Sequence, residues 1–243
     1  MLKLAVIGTG YLGATHAACM AKMGFEVIGV DNDANKVATL SKGELPFYEP
    51  TLPELLSEQV KSGRLKFTSD FSEISDCDVH FICVGTPQQA NSLAADLRYV
   101  DAALEAVAKV AKSGSLIVGK STVPVGTAAR LRGKLKSINP EVELAWNPEF
   151  LREGFAVDDF MKPDRVVIGT SSEKAKHIMG DLFKPYVRQG NPVIFMDEKS
   201  AELTKYAANA FLATKITFMN EIANLCELLG ADVDKVRIGK FKD

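Results

Sequence analysis

Residues 4–31 constrain the fold of this chain more than any other segment. An apolar run at 4–7 is followed at once by Gly8, Gly10 and Gly13 in GxGxxG spacing, and then by a helical pattern. A second apolar run at 27–30 ends on Asp31. A buried strand, a glycine turn, a helix, a second strand and a terminal acidic residue form, in this order, the βαβ unit that binds a dinucleotide.

Each glycine has a physical task in such a unit. Gly8 permits the tight turn, Gly10 lets the backbone approach a pyrophosphate, and Gly13 lets helix and strand pack closely. The pyrophosphate would then meet the positive end of the helix that follows. A glycine motif alone also fits an ordinary strand-to-helix turn, but here the flanking elements all agree, so we expect a dinucleotide site.

Asp31 indicates which dinucleotide is bound. Its carboxylate can accept hydrogen bonds from a ribose hydroxyl and would repel a 2′-phosphate, so the sequence predicts NAD rather than NADP. Lys36 follows one turn into the next helix. Its spacing fits equally a lysine that reaches the adenosine ribose and a solvated surface lysine.

Composition excludes several functional classes. The chain has 243 residues, 47% of them hydrophobic and 25% charged, which suits one large or two smaller domains. A net charge of −2 without a basic stripe argues against a nucleic-acid partner. The apolar runs are too short for a membrane span, and the first core strand leaves no room for a signal peptide, so we expect a cytoplasmic protein.

The cysteines and histidines predict neither disulfides nor a metal site. The cysteines lack CxxC spacing, and the histidines are far apart and match no ligand motif. The residues are Cys19, Cys77, Cys83, Cys226, His16, His80 and His177.

Further apolar runs continue the α/β pattern. They lie at 65–68, 79–84, 115–119, 142–146, 165–168 and 193–196, with helical patterns between most of them. This alternation predicts a Rossmann-like, doubly wound and mainly parallel sheet with helices on both faces. Residues 44–53 are richer in proline and aromatic residues, and are either a loop that reaches toward a site or partner, or an ordinary connection.

Residues 200–230 predict one long helix of roughly 45 Å. The chain is therefore expected to contain an NAD-binding domain at 1–199 and a central helix with a tail at 200–243. A helix of this length is longer than one small domain needs to cover its core, so we expect it to connect two domains or the two subunits of a homodimer.

Four groups of polar residues complete the predicted site. Three follow the carboxyl ends of strands, at 84–87, 121–127 and 147–154, and the fourth is the i, i+4 pair Lys205 and Asn209. Singly, each fits an ordinary turn or a solvated helix face. Together they would place a hydroxyl, two carboxylates, an ammonium and an amide near one nicotinamide, a set that can position an alcohol and stabilise an alkoxide.

The ordered motifs resemble the amino-terminal half of the UDP-glucose/GDP-mannose dehydrogenases, with the members that oxidise UDP-glucose as the nearest match. They are GTGYLG, VGTP, STVPVGT, NPEFLREG, PDRVVIG and the KxxxN pair, over roughly residues 1–237. The resemblance implies conversion of UDP-glucose, two NAD and water into UDP-glucuronate and two NADH. The sugar C6 would pass through a thiohemiacetal and a thioester on a cysteine.

The resemblance also implies residue roles. Thr122 and Glu149 would position water, and Lys205 with Asn209 would stabilise oxyanions at C6. The residues expected to bind NAD are Gly8, Gly10, Leu12, Gly13, Asp31, Lys36, Thr86, Thr122 and Glu153. Those expected to bind the substrate are Glu149, Phe150, Leu151, Arg152, Glu153, Lys205 and Asn209.

One departure from the family is informative. The family carries its nucleophilic cysteine in a GFGGSC-like loop after the long helix and then a second α/β domain, whereas this sequence ends at Asp243. We therefore expect a truncated chain that is inactive alone. The alternatives are part of a related GDP-mannose or UDP-N-acetylhexosamine dehydrogenase, and a non-catalytic NAD-binding or dimerisation module.

Overall fold

A computed structural model describes residues 2–188 and 190–240 as alternating strands and helices. The strands are β1 Lys3–Ile7, β2 Glu26–Val30, β3 Leu65–Thr68, β4 Val79–Ile82, β5 Leu116–Gly119, β6 Glu143–Trp146, β7 Val166–Gly169 and β8 Val193–Met196. The helices are α1 Tyr11–Lys22, α2 Ala34–Ser41, α3 Leu52–Lys61, α4 Arg98–Val110, α5 Thr127–Ile138, α6 Ala156–Met161, α7 Glu173–Leu182, α8 Lys184–Arg188, α9 Glu198–Leu229 and α10 Val233–Lys240.

The strands form one sheet in the order β3-β2-β1-β4-β5-β6-β7-β8. Every neighbouring pair is parallel except β6 and β7. The order reverses at β1, which pairs with β2 on one side and β4 on the other. Ligands of open α/β sheets bind in the crevice at such a reversal, beyond the carboxyl ends of the strands. The predicted Rossmann-like fold is confirmed.

The inner strands are apolar on both faces because helices cover both sides of the sheet there, whereas the edge strands β3 and β8 are only partly covered. In β1, Leu4 and Val6 join a core that contains α1, whereas Ala5 and Ile7 join a second core that contains α4 and α5. Successive side chains of a strand point to opposite faces, so a continuous apolar run is what a doubly covered strand requires.

The antiparallel pairing of β6 with β7 is short. β6 and β7 pair only through Trp146 and Gly169. The Asn147 side-chain amide extends this contact, because it donates a hydrogen bond of 2.8 Å to the Val167 carbonyl. Trp146 lies against Gly119, where a Cβ would be 2.2 Å from the indole ring. A side chain at position 119 would therefore displace the largest buried residue of this region.

The long helix α9 has 32 residues, or about 48 Å at 1.5 Å per residue. It begins two residues before the predicted start because Asp197 accepts hydrogen bonds from the Ser200 amide at 3.0 Å and the Ser200 hydroxyl at 2.6 Å. The chain divides into two compact bodies between Leu203 and Thr204, so α9 begins in the first body and continues in the second. The functional division at 199/200 stays a prediction.

Within the first body, two carboxylates near the start of α9 contact other elements of the same body. Glu202 accepts hydrogen bonds from the amides of Gly126 at 2.6 Å and Ala128 at 2.7 Å, at the amino end of α5. Glu198 accepts one from the Ser171 amide at 3.0 Å. The negative charge of Glu202 lies where the dipole of α5 favours it.

Over the described part of the chain, none of the helices combines the length and apolarity that a bilayer crossing needs.

Candidate dinucleotide site

The glycine turn between β1 and α1 has the geometry that its sequence predicts. Gly8 has a φ of +85°, and a Cβ there would lie 2.8 Å from Val84 Cγ1. At Gly13 a Cβ would lie 1.8 Å from the Gly8 carbonyl oxygen, whereas at Gly10 it would meet no atom within 4 Å. Gly8 and Gly13 therefore permit close packing within the protein, and Gly10 faces open space at the start of α1. That combination fits a pyrophosphate approaching the helix amino terminus.

Asp31 is held at the end of β2 by the glycine turn itself. Its Oδ2 accepts hydrogen bonds from the Thr9 amide at 2.8 Å and the Thr9 hydroxyl at 3.0 Å, and its Oδ1 accepts one from the Asp33 amide at 3.1 Å. Burial by itself would raise the pKa of Asp31, but hydrogen bonds from Lys36, Thr9 and Asp33 hold it below its ordinary value. The carboxylate is thus ionised, fixed and ready to accept further hydrogen bonds.

Lys36 lies beside Asp31, and this contact bears on the two interpretations of its spacing. Its Nζ is 2.9 Å from Asp31 Oδ2, and its side chain is 28% exposed. Helix α2 brings it there because the Asp33 carboxylate caps the helix through the amides of Asn35 and Lys36. An ammonium at this point can donate to the ribose hydroxyls that Asp31 would accept from. The geometry favours the ribose-binding interpretation, which stays a prediction.

The loops after β4 and β5 are joined across the sheet edge. The Thr86 hydroxyl donates to the Thr122 carbonyl at 2.8 Å, and the Ser121 hydroxyl donates to the Val84 carbonyl at 2.6 Å. Thr122 itself is half-buried. Parallel strands place their carboxyl ends on one edge, so Thr86 and Thr122 lie on the same edge as the glycine turn.

The loop after β6 holds the predicted substrate residues in different environments. Glu149 accepts a hydrogen bond from the Leu151 amide at 2.7 Å, which turns the loop. The Arg165 guanidinium lies 4.3 Å from the centre of the Phe150 ring. Leu151 is half-buried against the core that contains α1, and Glu153 is exposed.

Arg152 is bound within the protein. Its Nη2 lies 2.7 Å and its Nε 3.0 Å from the Asp159 carboxylate. Its guanidinium also lies 5.0 Å from the centre of the Phe155 ring. A substrate group could use this guanidinium only by sharing it with Asp159.

Lys205 and Asn209 lie on the part of α9 that belongs to the second body. Lys205 is 7% exposed and Asn209 is exposed. Their spacing places them one turn apart on the helix. Their alignment with the loops of the first body stays a prediction.

Three residues near this edge were missed by the sequence analysis. Thr9 fixes Asp31, as described above. Lys120 is 6% exposed, and its Nζ donates to Asn147 Oδ1 at 2.9 Å, which ties the ends of β5 and β6 together. Glu49 is 1% exposed within the proline-rich loop. A charged residue directly after an apolar strand was the available signal for Lys120, and the unusual composition of 44–53 was the signal for Glu49.

The cysteines are buried and free. Burial raises the pKa of Cys19, Cys77 and Cys83 to about 12 in each case. A thiol with such a pKa is almost wholly protonated near neutral pH and is a poor nucleophile. In the ranges 2–188 and 190–240 no group of three His, Cys, Asp or Glu side chains is placed to hold a metal ion.

A doubly wound sheet with a glycine turn and an acidic residue at its reversal defines a Rossmann-type dinucleotide-binding protein. Residues 2–187 match the NAD binding domain of the UDP-glucose/GDP-mannose dehydrogenase family, and residues 199–242 match the central domain of the same family. The chain therefore belongs to the UDP-glucose/GDP-mannose dehydrogenase family, which confirms the resemblance and the NAD cofactor.

Several known proteins similar to the chain are dehydrogenases of sugar nucleotides. UDP-glucose 6-dehydrogenase of Rhizobium meliloti is 44% identical over 98% of the chain, and that of Pseudomonas aeruginosa is 45% identical over 100% of it. Two solved structures each cover 100% of the chain: GDP-mannose dehydrogenase from Pseudomonas aeruginosa, in a ternary complex, has a TM-score of 0.94 at 32% identity, and UDP-glucose dehydrogenase from Pyrobaculum islandicum has 0.92 at 41%.

The chain spans about half the length of these relatives. It covers 56% and 55% of the two UDP-glucose 6-dehydrogenases, and 57% of each of the two crystallised chains.

Proposed function

We propose that this chain is the amino-terminal, NAD-binding part of a UDP-glucose 6-dehydrogenase that oxidises UDP-glucose to UDP-glucuronate with two NAD and one water. The observation that carries the proposal is an identity of 44–45% to UDP-glucose 6-dehydrogenases over nearly the whole chain. The carboxyl-edge loops support it, because they hold the hydroxyls and carboxylates that such an oxidation uses.

The cofactor would be held by the glycine turn and the end of β2. The amides at the start of α1 would bind the pyrophosphate, and Asp31 with Lys36 would bind the adenosine ribose. Thr86 and Thr122 would contact the nicotinamide half of the dinucleotide, together with Leu12 and Glu153. Bound NAD would supply the hydride acceptor for each oxidation.

The chain's own residues would handle the proton and the water. Glu149 is half-buried and its Oε2 accepts from the Leu151 amide, and we expect this carboxylate to hold a water against the sugar C6. Thr122 would orient the same water. An ammonium at Lys205 and the Asn209 amide would stabilise the oxyanion that develops at C6, an effect that is largest where water is excluded. Phe150, Leu151 and Arg152 would line the sugar pocket.

A second candidate is a GDP-mannose dehydrogenase. The solved GDP-mannose dehydrogenase has a TM-score of 0.94 over the whole chain, although its identity is 32%. The residues that contact a sugar C6 would be the same in both enzymes. The base and diphosphate of the substrate would distinguish them.

We further propose that the 243-residue chain does not complete this reaction alone, that it acts in the cytoplasm and that it forms a homodimer through α9. Completion would require a reactive thiolate, but all four thiols are buried, and burial raises the pKa values of Cys19, Cys77 and Cys83. Free cysteines suit a reducing compartment. In the second body, α9 exposes apolar residues that include Phe211 at 66% and Leu212 at 55%.

The test of the function is a substrate comparison on the intact gene product. NADH formation would be followed with UDP-glucose, GDP-mannose and UDP-N-acetylmannosamine in turn, and NAD binding would be measured by calorimetry in parallel. We expect two NADH per UDP-glucose. Turnover of GDP-mannose alone would favour the second candidate, and NAD binding without turnover of any of the three would favour a non-catalytic module.

A further inference from the structure

The loop at 44–51 carries a buried carboxylate that the proposed reaction does not use. Glu49 is 1% exposed, whereas Tyr48 beside it is 84% exposed. A carboxylate is rarely buried so completely unless its oxygens are hydrogen-bonded, because transfer from water into the protein interior is costly. The partners of Glu49 therefore indicate what holds this loop against the sheet.

Both oxygens of Glu49 accept hydrogen bonds from distant parts of the chain. Its Oε2 accepts from the Tyr11 hydroxyl at 2.5 Å and from the Gly154 amide at 2.8 Å, and its Oε1 accepts from the Ala156 amide at 2.8 Å. Phe47 adds an aromatic contact, with its ring centre 5.4 Å from that of Tyr11. One carboxylate thus joins three segments.

Two of these segments belong to the functional site. Tyr11 is the first residue of α1 and lies between Gly10 and Gly13, so its backbone belongs to the turn that is proposed to bind the pyrophosphate. Gly154 ends the loop that begins at Asn147 and carries Glu149 and Glu153. A shift of either segment relative to the other would change the distance between the cofactor and the groups proposed to act on the sugar.

We infer that Glu49 is a positioning residue that fixes the 147–154 loop against the dinucleotide-binding turn. A carboxylate suits this task because it accepts at both oxygens, and all three partners are donors. A glutamine would turn one acceptor into an NH₂ donor that faces a donor. Burial, together with the hydrogen bond to Glu49, raises the pKa of Tyr11, so its hydroxyl remains a donor well above neutral pH.

The inference rests on NAD binding by the glycine turn and does not depend on the identity of the sugar nucleotide. The positions of both segments matter. A backbone amide that no longer reaches a phosphate loses much of its effect, and so does a catalytic group that is displaced by about 1 Å. A chain that binds NAD but turns over no UDP-glucose would contradict the proposed function and leave this inference testable.

The experiment compares Glu49→Gln and Tyr11→Phe with two matched controls, Glu58→Gln and Tyr48→Phe, whose original side chains are exposed. Amide exchange at Gly154 and Ala156 is measured by NMR without NAD, and the NAD Kd is then measured by calorimetry. For Glu49→Gln we expect exchange at both amides to accelerate at least about tenfold and the NAD Kd to rise about tenfold. Neither control should change either quantity by more than about twofold.

Tyr11→Phe removes one of the three hydrogen bonds and keeps the aromatic contact with Phe47. This variant therefore tests the inference even if Glu49→Gln does not fold. We expect its NAD Kd to rise about threefold to fivefold. We also expect the double variant, where it folds, to bind NAD no more weakly than Glu49→Gln alone, because both changes break one connection. The inference would be overturned if both single variants bound NAD with a Kd within twofold of that of the unmodified chain. If only Tyr11→Phe folds, the same result for that variant alone would overturn it.

Discussion

The ammonium of Lys36 lies 2.9 Å from the carboxylate of Asp31, and this ion pair links the end of β2 to the first turn of α2. The pair is built from local sequence, since Asp33 caps the helix that carries Lys36. It presents an acceptor and a donor side by side at the carboxyl edge of the sheet. Such a pair can bind both hydroxyls of a ribose, and the Asp31 carboxylate would repel a 2′-phosphate placed beside it.

The first prediction concerns cofactor choice. The unmodified chain should bind NAD more tightly than NADP, and Asp31→Asn should weaken NAD binding about tenfold while it reduces the preference, because the charge that excludes the 2′-phosphate is gone. Calorimetry at one salt concentration measures both affinities. Glu26→Gln, at the exposed start of the same strand, is the control for lost charge. Equal affinities of the unmodified chain for the two cofactors would refute the prediction.

The second prediction separates two glycines of one motif. Gly13→Ala should destabilise the fold by about 3 kcal/mol or more, because its Cβ would lie 1.8 Å from the Gly8 carbonyl oxygen. Gly10→Ala should keep nearly normal stability, since a Cβ there meets no protein atom within 4 Å, but should weaken NAD binding at least about tenfold by occupying the space of the pyrophosphate. Urea unfolding and calorimetry measure the two effects.

The control for the glycine pair is Gly133→Ala, an exposed position inside α5 where a Cβ meets no atom within 4 Å. It should leave NAD binding unchanged and raise stability by up to about 1 kcal/mol through helix propensity. A Gly10→Ala chain that binds NAD normally would show that the open space at Gly10 is not the pyrophosphate site.

The third prediction concerns the dependence of stability on pH. Burial lowers the pKa of His80 from 6.5 to about 4. Between these values the unfolded chain binds a proton that the folded chain does not, so the stability that neutral His80 maintains is complete above about pH 6.5 and is lost as the pH falls toward 4. The loss should approach about 3 kcal/mol at the lower end. His16, also fully buried with a lowered pKa, should add to it.

Urea unfolding at a series of pH values measures this dependence. His80→Leu should flatten part of the slope between pH 6.5 and 4, whatever its effect on stability at pH 8. The matched control is His177→Leu, because the His177 side chain is 82% exposed, and it should leave the slope unchanged. An identical slope in the His80 variant would contradict the assignment.

The inner strands of the sheet were predictable from sequence because they are covered on both faces and therefore appear as continuous apolar runs. The partly covered edge strands β3 and β8 were also found, and all eight strands were located within two residues of their observed bounds. The geometry of the glycine turn and the position of Asp31 at the end of β2 were predictable for a related reason, since both depend on elements close in sequence. The start of α9 was displaced by two residues because its cap is the side chain of Asp197, which precedes the apolar pattern.

The missed residues act through long-range contacts. Glu49 accepts from amides 105 and 107 positions away, and the Lys120 ammonium lies against Asn147, 27 positions away. No periodicity connects such positions. Burial of a charged side chain becomes visible only when the fold brings its partners together, and the sequence alone shows an ordinary charged residue.

The fourth prediction concerns the second body. The chain should be a dimer at micromolar concentration, because α9 exposes apolar side chains that include Phe211 at 66% and Phe218 at 42%. Replacement of both by glutamate should yield monomer, as measured by light scattering after size exclusion. Lys109→Glu, an exposed change of charge on α4, should leave the mass unchanged. A monomeric mass for the unmodified chain at high micromolar concentration would rule out this dimer.

The last prediction is that the 243-residue chain binds NAD but forms no useful amount of UDP-glucuronate by itself. The second oxidation, as the family resemblance implies it, needs a thiolate to hold the aldehyde, and burial raises the pKa of Cys19, Cys77 and Cys83 to about 12. Iodoacetamide at pH 7.5 should therefore label these three thiols far more slowly than free cysteine, unless the chain is unfolded.

NADH would be followed by absorbance with UDP-glucose and NAD in excess, and the product by mass spectrometry. The prediction would be wrong if the purified chain formed two NADH per UDP-glucose and if labelling one of its cysteines abolished that reaction. The chain would then contain a nucleophilic thiol.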